Sequence, residues 1–219
     1  MDESPTPVSR RPGGRTARTR QAVLEAAVEV LLDGGLAGFT VAAVAARSAV
    51  NASTIYRRWA TRERLAVDAL LDRVDAAIPI PDTGSLPADV RRLLGDLASF
   101  YRTGLGGLLG GLAMAPLEDP AAEGVRQLLW DARLRDVEVI VRRAVDRGEL
   151  GRRVDARLAV EVLLAQLHLH LFALGRPTDE VSLDAFTRVA VAGIWALDGT
   201  TASPSGPDAR AEPRFPPGP

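Results

Sequence analysis

Cysteine is absent from this 219-residue chain, and so is lysine. Without cysteine there is no disulfide, no thiolate nucleophile and no cysteine-ligated metal. Without lysine, all 27 strongly basic side chains are arginines, which reflects codon usage first and binding second. Histidine occurs only at His168 and His170; two positions apart on a helix they point in different directions, so they make no paired metal site. Aromatic residues are scarce, at 5%. No H-E-x-x-H, serine elbow or phosphate loop occurs, and neither a metal nor a cofactor is expected. The glycine-rich run from Gly104 fails the dinucleotide-binding fingerprint, because its spacing is wrong and no strand precedes it. The longest apolar candidate for a membrane span, Leu105 to Ala115, falls well short of the ~20 residues required. Arginines near the start are not followed by an apolar run, so a cytoplasmic location without membrane contact is expected.

Apolar residues make up 47% of the chain and charged residues 25%, the balance of a globular protein with a sizeable core. The formal net charge is −1, but its distribution is uneven. Between Arg10 and Arg64 ten arginines stand against only four acids, so the remainder is net acidic. Such asymmetry fits a nucleic-acid-facing end and a differently occupied other end.

The most informative stretch runs from Thr40 to Trp59. Thr40 can cap a short helix whose apolar face is Val41, Val44 and Ala45. Ser48-Ala49-Val50 breaks the pattern. Asn51 can cap a second helix with Ile55 and Trp59 four apart on one side, while Thr54, Arg57 and Arg58 stay on the polar arc. A short helix held against another, with small and cationic residues outward, suits a DNA major groove. The alternative is an ordinary helical hairpin with a solvated basic face.

The residues Ala45, Val50, Thr54, Ile55, Tyr56, Arg57, Arg58 and Trp59, followed by Thr61, Arg62, Glu63 and Leu65, resemble the helix-turn-helix signature of the TetR family of dimeric bacterial transcriptional regulators. The resemblance is strong over residues 18 to 66 and loose to about residue 197. Two positions depart from the usual pattern. Ala49 stands where the family usually has glycine, and Asn51 where it often has serine. Alanine in a left-handed turn costs about 1 kcal/mol more than glycine, whereas asparagine caps as well as serine.

An all-α fold is expected throughout, with a three-helix head joined to a helical body. The organisation reads as a disordered basic arm over 1–17, a helix-turn-helix domain over 18–66, an effector-binding and dimerisation domain over 67–199, and a disordered proline-rich tail over 200–219. Val23, Ala26, Ala27, Val30 and Leu31 mark the first helix, ended by Gly34-Gly35. Phe39 is placed to plug the small head core. Thr61 caps a helix that runs without a break from head to body and ends at Ile78-Pro79. Pro87 falls in the first turn of the next helix. The glycine pairs 106/110 and 107/111 permit close packing while weakening their own helix. Asp119-Pro120 and Asp155 open two long helices, and Val181 to Leu197 forms the last. The helix from Asp155 is apolar nearly all round, so it must be covered on several sides. Leu163, Leu167 and Leu171, with Phe186, Ala190, Gly193 and Ile194, are the residues expected at a four-helix homodimer interface.

The resemblance implies roles for the matching residues. Tyr56, Arg58 and Arg62 would hold phosphates, with help from Thr40, and the amino-terminal end of the first helix, near Arg18 and Arg20, would approach the backbone. Asn51 caps the recognition helix. Ala52, Ser53, Thr54 and Arg57 would face base edges of double-stranded DNA: Ala52 and the Thr54 methyl against thymine, Arg57 against guanine O6 and N7. A homodimer would match a palindromic operator. The body would enclose an apolar cavity for a small hydrophobic ligand that releases DNA, with Tyr101, Met114, Trp130, Gln166 and His170 as the groups able to orient it. Few charges lie on those faces, so a neutral or weakly polar effector is expected. Two competing classes remain on residues alone. An all-helical enzyme would show saturable turnover, and a helical interaction module without DNA binding would leave the Thr54 to Trp59 signature unexplained.

Overall fold

The computed structural model describes residues 13–113 and 120–199, and all regular structure among them is helical. Met114 and Asp119 lie outside the described residues, as do positions 1–12 and 200–219.

Three helices and the start of a fourth make the head. α1 (Gly13–Gly34) begins inside the stretch assigned above to a disordered arm. Gly13-Gly14 disfavours a helix and these first turns carry no apolar stripe, so no signal in the sequence announced them. α2 (Val41–Ser48) starts where the Thr40 hydroxyl accepts the Ala43 N–H at 3.1 Å. α3 (Ala52–Arg58) starts where the Asn51 carboxamide oxygen accepts the Ser53 N–H at 2.9 Å. Both caps satisfy amides that a helix start leaves without partners. Ala49 lies between them at φ 53°, ψ 27°, the one non-glycine residue with positive φ among the described residues. This left-handed residue aims α3 across α2. Phe39, Val44, Ile55 and Trp59 are buried beneath it against Leu24 and Leu31 of α1 and Leu65 of α4. The Trp59 indole N–H is satisfied by Asp68 at 2.9 Å.

α4 (Arg62–Ala77) is capped by Thr61 and packs on α1 at one end and on α7 at the other. α5 (Leu86–Phe100) follows a corner held by Asp89. This fully buried carboxylate accepts from Thr83 N and Oγ1 at 2.6 and 2.7 Å and from Arg147 at 3.3 Å. α6 (Gly104–Ala113) is the glycine-rich element. Only one of its two glycine pairs serves close packing. A methyl at 106 would lie 2.1 Å from the Phe100 carbonyl oxygen, and one at 110 would lie 2.2 Å from the Phe172 ring. Gly107 and Gly111 face open space.

α7 (Pro120–Asp146), α8 (Ala156–His168) and α9 (Glu180–Leu197) complete the body. Asp155 caps α8 through the amides of Arg157 and Leu158, and Asp179 with Ser182 forms a capping box on α9. α8 does not continue to Gly175 as a regular helix. It passes into a π-helical turn over Leu169–Ala173, and Gly175 ends it at φ 61°. The stretch Ala156–Ala173, with mean hydropathy 1.3, is long and apolar enough by composition to cross a membrane. In the fold it packs against α5, α7 and α9.

The turn at Ala49 yields a direct test. Replacing Ala49 by Gly relieves the left-handed backbone but adds freedom to the unfolded chain, so the net gain in unfolding free energy should be about 0.5–1 kcal/mol. Urea denaturation of A49G measures it. Unchanged or lower stability would show that Ala49 carries no strain.

Candidate nucleic-acid interface and body cavity

On α3 the residues nominated for DNA contact do lie together on the outer surface. Asn51, Ser53, Tyr56, Arg57 and Arg58 are exposed, and Ala52 and Thr54 are half-buried beside them. Tyr56 is 55% exposed, so it is not packing beside Trp59. α3 carries no carboxylate, and Arg57 has no ion-pair partner among the described residues. The Arg58 guanidinium lies over the Trp59 ring, 5.5 Å from its centroid, which fixes the side chain and leaves its charge available. The Thr40 hydroxyl accepts from Ala43 and keeps its own proton to donate.

Other arginines of the head are engaged. Arg62 is half-buried; its Nε donates to Glu63 at 2.8 Å and its Nη1 to the Phe39 carbonyl at 3.3 Å. That hydrogen bond holds the Glu63 carboxyl below the usual carboxylate range. Arg62 therefore ties the α1–α2 corner to α4 rather than standing free for a phosphate. Arg20 pairs with Asp72 of α4 at 3.0 Å, and Arg47 pairs with Asp33 at 2.6 Å. A groove of about 390 Å³ separates the first turns of α1 from α3. Thr16 and Thr19 line one wall, and Thr54, Arg57 and Arg58 the other. Thr16 was missed from the sequence; its signal is a hydroxyl one turn before that of Thr19.

The body holds a cavity of about 50 Å³. α4 contributes Leu71, Val74 and Ile78, and α5 contributes Leu97, Phe100 and Tyr101. Leu109 and Leu112 of α6 close one side, and Leu129 and Trp130 of α7 another. Two nominated residues, Tyr101 and Trp130, are thus brought together. Gln166 and His170 are not. The Gln166 amide donates to the Phe186 carbonyl of α9 at 3.2 Å, and the His170 ring of the π turn sits 3.1 Å from the Pro177 carbonyl of the following loop and edge-on to Phe186. His168, rather than His170, is the histidine that touches lining residues of the cavity. Its Nε2 lies 3.0 Å from the Tyr101 hydroxyl, and its ring contacts Trp130 and stacks on Phe172. The spacing Leu164, His168, Phe172 was the available signal. The cavity is also less neutral than expected, because Arg126 and Arg133 of α7 line it.

Of the residues nominated for dimerisation, four are withdrawn from the surface by the chain's own packing. Leu163, Leu167, Ala190 and Ile194 are completely buried inside one protomer, and Leu171, Phe186 and Gly193 are half-buried. They form the α8–α9 contact, where a methyl at 193 would come within 3.0 Å of Val162. Each helix is apolar on more than one face, and the tightest i, i+4 stripe turns inward. Leu158, Leu169, Val181, Val189 and Leu197 are the large apolar residues left on the outer faces of α8, α9 and the π turn. Among the described residues, no group of three or more His, Cys, Asp or Glu is placed to hold a metal ion.

A capped helix-turn-helix with a carboxylate-free outer face, fused through one helix to an all-helical body, defines a DNA-binding protein of the regulator type. Comparison with known proteins agrees. Residues 23–69 match the family model of bacterial regulatory proteins, tetR family, and residues 80–190 match the tetracyclin repressor-like C-terminal domain. The HTH-type transcriptional regulator AqdR of Rhodococcus erythropolis is 36% identical over 161 residues, 74% of this chain and 78% of that protein. The DNA-binding transcriptional repressor TetR of Mycobacteroides abscessus is 34% identical over 162 residues, 73% of this chain and 84% of that protein. Among solved structures, the TetR family transcription regulator SCO0332 superposes with a TM-score of 0.64 at 31% identity, over 83% of this chain and 98% of that one. The chain belongs to the TetR family and is a DNA-binding transcriptional regulator.

The Tyr101–His168 contact predicts a pH dependence. Burial pushes the His168 imidazole down to about 4 and the Tyr101 hydroxyl up to about 12. The folded state therefore resists protonating a histidine that the unfolded chain protonates below pH 6.5. Stability from this group is complete above that value and is lost as pH falls from 6.5 towards 4, a total on the order of 3 kcal/mol. Urea unfolding across this range should give a shallower acid loss for His168→Gln than for the parent. Parallel curves would show that His168 is not a buried neutral group.

Proposed function

We propose that this regulator is a repressor that binds a palindromic operator as a homodimer and is released when a small molecule enters the body cavity. The observation that carries the DNA part is the sorting of charge on the head. Arg20, Arg47 and Arg62 are paired within the fold, while Arg57 and Arg58 are presented on α3 with Tyr56. Arg57, Ala52, Ser53 and Thr54 read base edges; Tyr56, Arg58 and Thr40 hold phosphates. The apolar outer faces of α8 and α9 support the dimer, which places two recognition helices on successive turns of the major groove. The cavity supports ligand control, because α4 forms one of its walls and also carries the head. To shift the equilibrium from mostly bound to mostly released, the ligand must prefer the released form by roughly 10⁴-fold, or about 5.5 kcal/mol. The protein acts in the cytoplasm, where its operator is.

Selection from a randomised duplex pool supplies the operator. Tyr56→Phe should then weaken every sequence alike by about ten-fold or more, the worth of one hydrogen bond to a charged group. Arg57→Ala should change the order of preferred sequences and cost about 1–3 kcal/mol on the best one. If neither substitution alters binding, α3 is not the reading face.

The dimer has its own test. Sedimentation at micromolar concentration should give twice the 23.3 kDa chain mass, and Val189→Glu should shift the protein to monomer with its helicity intact. A monomeric parent protein removes the two-fold model.

A further inference from the structure

The cavity wall is apolar with a cationic side. Both charged residues that line it, Arg126 and Arg133, come from α7, and no carboxylate is among the described residues of the wall. Arg126 pairs with Glu123 one turn away. Arg133 differs. Its side chain is only 9% exposed. Nη2 donates to the Ile78 carbonyl at 3.0 Å, while Nη1 reaches Asp75 at 3.4 Å, and that carboxylate is itself 58% exposed. Nε is buried and has no hydrogen-bond partner among the described residues. A guanidinium withdrawn from water is unfavourable unless its donors are met and its charge balanced. Here one donor is unmet, and the balancing charges, Asp75 and Asp136, both lie mostly in solvent. A planar oxyanion is the partner that matches a guanidinium fork, by two parallel charge-assisted hydrogen bonds.

We propose that the ligand of the body cavity is an apolar molecule ending in a carboxylate or similar planar oxyanion, which the Arg133 guanidinium recognises. The proposal rests on the ligand-sensing reading above and specifies its chemistry. It also gives a route to the head. The Ile78 carbonyl that Arg133 holds closes the carboxyl end of α4, where a helix leaves carbonyls without partners. An oxyanion that draws the guanidinium towards itself takes that bond from α4, the helix on which the DNA-binding head is mounted.

The test compares the full-length protein's affinity for propanoate, butanoate and pentanoate, sized to a cavity of about 50 Å³, with that for the corresponding primary amides, by calorimetry and by tryptophan fluorescence, to which Trp130 in the cavity wall contributes. The acids should bind about ten-fold or more tightly than the amides, the worth of a charge-assisted contact. Arg133→Gln should erase that preference while leaving amide binding unchanged, and Arg133→Lys should restore part of it. Equal affinities for acids and amides in the parent would overturn the head-group assignment while leaving ligand sensing in place. A preference that survives Arg133→Gln would overturn it as well. Binding of neither series would overturn both readings. Circular dichroism checks that the variants fold; if Arg133→Gln does not, the acid-against-amide comparison in the parent protein decides alone.

Discussion

The structure depends on α4 belonging to two cores at once. Leu65, Ala66, Ala69 and Leu70 are fully enclosed, while Leu71, Val74 and Ile78 further along the same helix wall the body cavity. The buried cluster therefore runs from α1 into α7 without a gap. A head of this size has little core of its own, and each enclosed leucine contributes about 2 kcal/mol, so sharing α4 stabilises both halves. Sharing also couples them. A helix neither stretches nor compresses appreciably, and a close-packed interior passes displacement on rather than absorbing it. Arg20 to Asp72 and Arg133 to the Ile78 carbonyl fix the carboxyl-terminal half of α4 by polar contacts outside the apolar packing.

In a chain whose only strong bases are arginines, function follows from which of them the fold leaves unpaired. Exposed ion pairs stabilise a protein by roughly 0–1 kcal/mol, so those of the head add little to its stability. Their effect is electrostatic bookkeeping of another kind: each carboxylate that meets an arginine removes that charge from the outer field. Asp72, Asp33 and Glu63 do this for Arg20, Arg47 and Arg62. α3, read Ala-Ser-Thr-Ile-Tyr-Arg-Arg, has no acid to do it for Arg57 or Arg58. A net charge of −1 is thus compatible with a strongly positive reading face, because a duplex senses the potential within about 10 Å of its phosphates.

The body solves a different problem, an excess of apolar surface. α8 and α9 have more hydrophobic positions than one contact uses, and the protomer encloses the stripes Leu163–Leu167 and Ala190–Ile194. The π turn after His168 inserts an extra residue into the helical repeat, so that Phe172 covers Gly110 and stacks on His168 while Leu169 faces outward. The absence of a side chain at Gly110 is what permits that ring to approach α6. Phe172 of that turn joins Tyr101, Trp130 and His168 in one aromatic cluster.

What the sequence determined by itself was local. Caps are encoded within three or four residues, so Thr40, Asn51, Thr61 and Asp155 announced where helices begin, whereas the left-handed turn at Ala49 followed only from the resemblance, because alanine itself does not favour it. The spacing of Ile55 and Trp59 determined which arc of α3 is outward, the arc proposed to read DNA. The choice between equivalent faces was left to the tertiary structure. A helix apolar on two sides does not reveal which side meets its own core, so the stripe expected between protomers lies within one. His168 lies on the regular part of α8, and its face of the helix, not that of His170 two positions on, is the one the packing turns to Tyr101 and Trp130. Thr16 is brought to α3 by the packing of α1, far from it in sequence. Arg133 looks like any solvated arginine on a long helix. Its burial arises because α4, more than fifty positions earlier, brings Asp75 and the Ile78 carbonyl against it. Contacts at that separation follow from how helices stack, and no short window of sequence contains them.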